Sequence, residues 1–167
     1  MKIALIGPHG TGKTTIAHEL IVKLKKDGKN VEYLGEIARQ CPFPINKNIT
    51  KNAQEWIIFF QHIKELELKD KTDIIICDRS ILDGYTYYYY LFGKNQLLEN
   101  FIKEKIKDYD LLIKVPIREG YLKDDGVRDI SKRFQEDIEI KFQELLKELN
   151  IPYQDYENLD RIIEIIK

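Results

Sequence analysis

Gly7-Pro8-His9-Gly10-Thr11-Gly12-Lys13-Thr14 is the stretch that decides the fold. It satisfies G-x-x-x-x-G-K-[ST], which composition alone would produce about 0.003 times in a chain of this make-up. The apolar run Ile3-Ala4-Leu5-Ile6 leads into it, and a helical spacing of Ile16, Leu20 and Leu24 leads out. A strand, a glycine turn and a helix in that order make a trap for phosphate. The glycines let backbone N–H groups turn inward, and the helix N-terminus adds partial positive charge. Lys13 is placed for the β- and γ-phosphates of a nucleoside triphosphate, and the Thr14 hydroxyl for Mg2+. Gly10, Thr11, Gly12, Lys13, Thr14 and Thr15 are therefore expected to hold the nucleotide, taken as ATP. His9 reads as a solvent-facing loop residue.

Working outward, strand and helix patterns alternate. Val31–Leu34 reads as a second strand, and Cys41-Pro42-Phe43-Pro44 breaks any helix. Thr50 is placed to cap a helix to about Leu68, with Trp56, Phe60 and Ile63 toward the core. Asp73–Cys77, with three consecutive isoleucines, predicts a strand covered on both faces. Helices are expected at Ile81–Leu91, Gln96–Lys107, Ser131–Leu149 and Leu159–Ile166, and strands at Leu111–Val115 and Pro152–Tyr156. Strands separated by helices imply parallel pairing with right-handed crossovers. The expectation is an α/β, three-layer P-loop NTPase fold: about five parallel strands, helices on both faces and a small lid. With no repeat or linker, residues 1–167 read as one domain.

The 167 residues are 43% hydrophobic, which rules out a disordered tail. The 27 Lys and Arg balance the 28 Asp and Glu, which argues against a chain built to hold nucleic acid non-specifically. Two cysteines, Cys41 and Cys77, make a disulfide framework improbable and a reducing compartment the default. No segment has the length of a membrane span, so a soluble cytoplasmic protein is expected. Only six of the basic residues are arginines, and five of them (Arg39, Arg79, Arg118, Arg128, Arg133) fall in or near the motifs that follow. A flat, forked guanidinium matters most where oxygens of a phosphate must be gripped.

In a parallel sheet, ligands bind beyond the carboxyl ends of the strands. Asp78-Arg79-Ser80 follows the isoleucine strand there. Asp78 is placed to hold Mg2+ or accept a proton, and Arg79 to clamp a phosphoryl oxygen or fix the acceptor. Either Asp78 or Ser80 can also cap the next helix. Glu36-Ile37-Ala38-Arg39 follows the second strand. For Glu36, two readings stand: proton acceptor or sugar ligand on the same rim, or a surface ion pair with Arg39. Asp83 and Tyr87 share a helix face with Tyr90, as an acceptor pocket or as core.

These residues resemble the layout of deoxynucleoside kinases. The run Cys77-Asp78-Arg79-Ser80-Ile81-Leu82-Asp83 is similar to their third-strand motif, with Asp78 in place of the usual Glu. Glu36-Ile37-Ala38-Arg39 and Asp125-Gly126-Val127-Arg128 more closely resemble P-loop proteins related to the kinase domain that phosphorylates nicotinamide riboside. The resemblance implies a lid over residues 117–130 carrying Arg118 and Arg128, with Arg133 beside it. It also implies that fixed cations stabilise the transferring phosphoryl group. The alternative is an ordinary charged loop.

The leading expectation is ATP- and Mg2+-dependent phosphoryl transfer to a small nucleoside, nucleotide or ribosyl acceptor. Lys13, Glu36, Asp78, Arg79 and Arg128 would carry the reaction. Arg118 would help hold ATP, and Thr14 with Asp78 would hold the metal. Glu36, Arg39, Arg79, Asp83 and Tyr87 would meet the acceptor. A nucleotide-dependent regulatory switch without a small acceptor is the alternative, and a polynucleotide kinase suffers from the near-neutral charge. The oligomeric state is left open.

Overall fold

The computed structural model describes residues 1–45, 49–118, 120–121 and 131–166. They form five strands, β1 (Lys2–Ile6), β2 (Val31–Leu34), β3 (Ile74–Asp78), β4 (Leu111–Lys114) and β5 (Gln154–Asp155). Around them pack α1 (Lys13–Lys26), α2 (Lys51–Lys69), α3 (Ile81–Phe92), α4 (Gln96–Lys105), α5 (Lys132–Glu148) and α6 (Leu159–Ile166). The sheet has the order β2-β3-β1-β4-β5, and every pairing is parallel. This is the three-layer α/β fold that the alternation implies.

Strand residues alternate between two cores, which is why the strands read as unbroken apolar runs. Ala4, Ile6, Ile75 and Cys77 face a core formed with α2, α3, α4 and α5. Ile3, Leu5, Ile74 and Ile76 face the opposite core, closed by α1 and α6. Local signals fix the helix starts. Thr50 Oγ1 accepts from Ala53 N, Asn95 Oδ1 from Leu97 N and Leu98 N, and Ser131 Oγ from Phe134 N. Ser80 heads α3 through a capping box: Ser80 Oγ accepts from Leu82 N, while Asp83 Oδ2 accepts from Ser80 N and Oγ. Among the described residues, no helix is long and apolar enough to cross a membrane.

The structure departs from the sequence reading in three places. In α2, Ile63 is exposed, whereas Trp56 and Phe60 stack on each other half-buried against the core as expected; the fully inward face is Ala53, Gln54, Ile57, Ile58, Gln61 and Glu65. The phase is set by α3: a Cβ on Gly84 would lie 2.7 Å from Ile58 Cγ1, so the two helices touch at that glycine. The helix expected to Lys107 ends at Lys105 and tightens into a 3-10 turn over Ile106–Asp108, a common way to finish a helix. The last strand shrinks to Gln154–Asp155, because it lies at the sheet edge and follows Pro152, which has no N–H to donate.

Candidate active site

The turn after β1 is a glycine-rich loop of the kind that can cradle phosphate. Gly7, Gly10 and Gly12 all have positive φ, and at Gly12 (φ +87°) the backbone turns directly into α1. An L-residue is strained there, and a Cβ would also lie 2.8 Å from the ring of Tyr121, which rests on the loop. Lys13 is buried and folds back over its own loop. Its Nζ donates to Gly7 O at 2.8 Å, Pro8 O at 2.5 Å and Thr11 Oγ1 at 3.1 Å. Burial, reinforced by the nearby Arg79 charge, lowers its pKa to about 7.

That value gives a pH prediction. A phosphate tail beside Lys13 favours the ammonium, so the nucleotide-bound protein holds a proton that the free protein sheds above pH 7. Nucleotide affinity should be full below about pH 7 and fall by up to about tenfold per pH unit above it. Calorimetric titrations of MgATP between pH 7 and 9, in buffers of different ionisation enthalpy, should show proton uptake rising toward one. Affinity that climbs with pH would contradict the assignment.

At the end of β3, Thr14 Oγ1 donates to Asp78 Oδ2 at 2.5 Å, and Tyr33 OH approaches the same oxygen at 3.4 Å. One hydroxyl and one carboxylate, side by side at the mouth of the cradle, are hard oxygen donors of the kind Mg2+ takes when substrate phosphates and water complete its shell. Among the described residues no group of three or more His, Cys, Asp or Glu is placed to enclose a metal. The residues fit Mg2+.

Arg79 is the pivot of the site. It is a non-glycine residue at φ +90°, locked from several sides. Its N–H donates to Leu5 O at 3.0 Å, and its carbonyl accepts from Gln61 Nε2 at 3.4 Å. Gln61 is held by Glu65, which also accepts from Tyr109 OH at 2.5 Å and pairs with Lys2 at 2.8 Å. The same Tyr109 hydroxyl accepts from Ile81 N at 3.1 Å, so one buried network grips both sides of the turn. In front of it, Arg79 Nε donates to Glu36 Oε1 at 2.8 Å, and its NH1 lies 3.7 Å from Asp83 Oδ1. Arg39 Nε takes the other Glu36 oxygen at 3.0 Å. Glu36 is thus a bridge between two arginines, and the ion pair with Arg39 is one of its two sequence readings.

Two cavities meet at Arg79. One, about 390 Å³, is lined by Gly10 to Thr15, Asp78, Arg79, Gly120 and Tyr121. The other, about 370 Å³, lies between α2, α3 and the start of α5, and takes in Glu36, Arg39, Asp83 and Tyr87. Asp83 joins them: its Oδ1 accepts from Gly7 N at 3.1 Å while Oδ2 caps α3. Burial pushes the Asp83 carboxyl up, and Arg79 and Lys13 pull it back.

His9, read as solvent-facing, is in fact buried in the second cavity's wall. Its ring Nδ1 lies 2.8 Å from Tyr87 OH, its N–H donates to the same oxygen, and its carbonyl accepts from Gln135 of α5 at 2.6 Å. Of the tyrosine run, Tyr85 and Tyr88 go to the core, Tyr87 and Tyr90 to the cavity. Arg118 does not line the cavity at the glycine loop; its guanidinium packs on the rings of Tyr156 at 4.6 Å and Tyr121 at 5.6 Å. Arg133 is exposed in the first turn of α5. Arg128, and most of the lid expected over 117–130, lies outside the described residues. Sequence reasoning missed Gln54 and Gln61 as cavity residues. Their signal was two amides seven apart on the face of α2 that also carries Ile57 and Ile58.

Residues 2–160 match the sequence pattern of AAA_28, described as an AAA domain. The chain belongs to that family. Among curated proteins none matches this chain. Solved structures share the fold of this AAA domain. Thymidylate kinase from Ehrlichia chaffeensis superposes with a TM-score of 0.73 at 17% identity, over 100% of this chain and 98% of that one. Deoxyadenosine kinase from M. mycoides with bound dATP gives 0.62 at 18%, over 99% and 97%. NadR in complex with NR gives 0.72 at 20%; it covers 94% of this chain, which spans 45% of NadR. At these identities the likeness shows the shared fold.

Proposed function

We propose that this chain is a kinase that moves the γ-phosphoryl group of ATP to a small nucleoside, nucleotide or ribosyl acceptor. The observation that carries the reading is the meeting of two cavities at one buried arginine: a phosphate cradle on one side, an acceptor-sized pocket on the other. The names of the structural neighbours, kinases of deoxyadenosine and thymidylate, support it by analogy.

In this reading the loop N–H groups and Lys13 hold the triphosphate. Thr14 and Asp78 hold Mg2+, which would neutralise charge on the β- and γ-phosphates when bound. Arg79, fixed by Glu36 and its backbone clamps, faces the transferring group from the acceptor side. Glu36 takes the proton when the acceptor is a hydroxyl. Little covalent work falls to the protein; positioning and charge carry the rate.

The test is a screen of nucleosides, their monophosphates and nicotinamide riboside with labelled ATP and Mg2+. ATP turnover should rise by at least about a hundredfold with the right acceptor. Turnover stimulated only by a protein would instead identify a nucleotide switch.

A further inference from the structure

We infer that Gln135 of α5 is a positioning residue for the phosphate loop. Its amide, together with the Tyr87 hydroxyl of α3, pins the His9 peptide from outside, so the loop keeps its shape when Lys13 turns to a nucleotide. The inference rests on the nucleotide-binding half of the phosphoryl-transfer reading and on no particular acceptor.

A loop that turns N–H groups inward toward an anion turns carbonyls outward, and each buried carbonyl needs a donor. Within the loop that donor is Lys13. An ammonium has three N–H groups, and all three are in use: on Gly7 O at 2.8 Å, Pro8 O at 2.5 Å and Thr11 Oγ1 at 3.1 Å. To reach a β- or γ-phosphate, Lys13 must weaken at least one of these bonds. Pro8 O keeps a second donor, the Thr11 hydroxyl at 3.2 Å. The loop therefore loses part of its internal bracing at the moment its shape matters most.

His9 is braced from elsewhere. Its carbonyl accepts from Gln135 Nε2 at 2.6 Å, and its N–H donates to Tyr87 OH at 3.0 Å. A carbonyl only accepts, so the NH2 end of the amide faces it. His9 is 4% exposed and Gln135 3%, so losing the amide donor would leave a carbonyl shielded from water. Neither bond uses a group that Lys13 engages, and both can persist with a nucleotide in place. Directly after His9 the chain turns left-handed at Gly10 (φ +65°) and again at Gly12 (φ +87°). Fixing the His9 peptide fixes where that turn begins.

The helix that carries the amide is itself anchored. One turn beyond Gln135, Glu139 accepts from the buried Lys114 at the end of β4 and from Gln143 at 2.8 Å. Ile138 and Phe142 of the same helix are fully buried. Lys114 stands opposite Ile6, the last residue of β1, which leads into the loop. Gln135 and Glu139, at i and i+4, thus tie one helix face both to the loop and to the strand beside the one that feeds it.

Gln135→Met removes the donor and keeps the length of the side chain. The full chain and this variant are titrated calorimetrically, near neutral pH, with MgATP and with inorganic triphosphate plus Mg2+. Both dissociation constants should rise about tenfold and by the same factor, because the loss lies at the phosphates and not at the base. Ile138→Val thins the core of the same helix; it should lower the melting temperature and leave both constants within about twofold. Tyr87→Phe removes the other half of the pin and keeps the ring. It should weaken inorganic triphosphate several-fold, and it decides the matter where Gln135→Met does not fold. Gln135→Met binding both probes as the unchanged chain does overturns the inference, as does weakening confined to MgATP. An equal loss in Ile138→Val overturns it too, since the effect would then follow stability. An unchanged chain that binds neither probe removes the nucleotide-binding reading and the inference together. Binding that follows the expected pattern without any phosphoryl transfer supports the inference and counts against the kinase reading alone.

Discussion

Lys13→Ala is expected to lower phosphoryl transfer by about three orders of magnitude or more while moving the melting temperature by only a few degrees. The two effects separate because of where the ammonium sits. It is buried against the carbonyls of Gly7 and Pro8, groups of its own loop. Removing it loses three hydrogen bonds, but it also removes the cost of holding a cation out of water, the same cost that lowers its pKa. Lys13 itself lines a cavity, so the space its side chain vacates is open for water to follow it to those carbonyls. For folding, gain and loss nearly cancel. For catalysis nothing offsets the loss, because among the described residues no other lysine lines that cavity. Parallel transfer assays and thermal melts check both halves. Near-normal transfer in this variant would remove the mechanism. A collapse of the fold would show that Lys13 is a structural strut.

The strand, glycine turn and helix around Lys13 were legible because the pattern is local. Glycines at set intervals, a lysine and a hydroxyl must follow one another in the chain to wrap a phosphate, so the pattern survives in one dimension. The sheet was legible for a similar reason: only a strand covered on both faces reads Ile74-Ile75-Ile76. The acceptor cavity was not. It is assembled from α2, α3, α5 and the turn after β2, and the phase of α2 depends on its contact with Gly84, which no periodicity in α2 reveals. Ile63 was therefore assigned inward and Gln61 overlooked. His9 was misplaced because the partners that bury it, Tyr87 and Gln135, lie 78 and 126 residues away. The Glu65–Tyr109 network was hidden in the same way: buried charge is visible only once its partners are.

The positive φ of Arg79 provides a second large effect and a way to separate strain from function. Arg79→Ala and Arg79→Gly should both reduce transfer by about a thousandfold, since each removes the guanidinium shared by the two cavities. Their stabilities should differ. At φ +90° an alanine Cβ is as strained as the native one, whereas glycine adopts that conformation freely, so the glycine variant should be the more stable of the two by about 1 kcal/mol. Denaturant titrations of the pair measure this directly, because both lack the same ion pair with Glu36 and differ only in one methyl group. Equal stabilities would mean that the turn relaxes once the side chain is gone, so that the arginine itself, through Glu36, holds the backbone in place. A stability difference without recovery of transfer would mean that the Gln61 and Tyr109 clamps hold the turn for the sake of the guanidinium it presents. Strain at that position would then be a cost the fold carries to keep one cation between donor and acceptor.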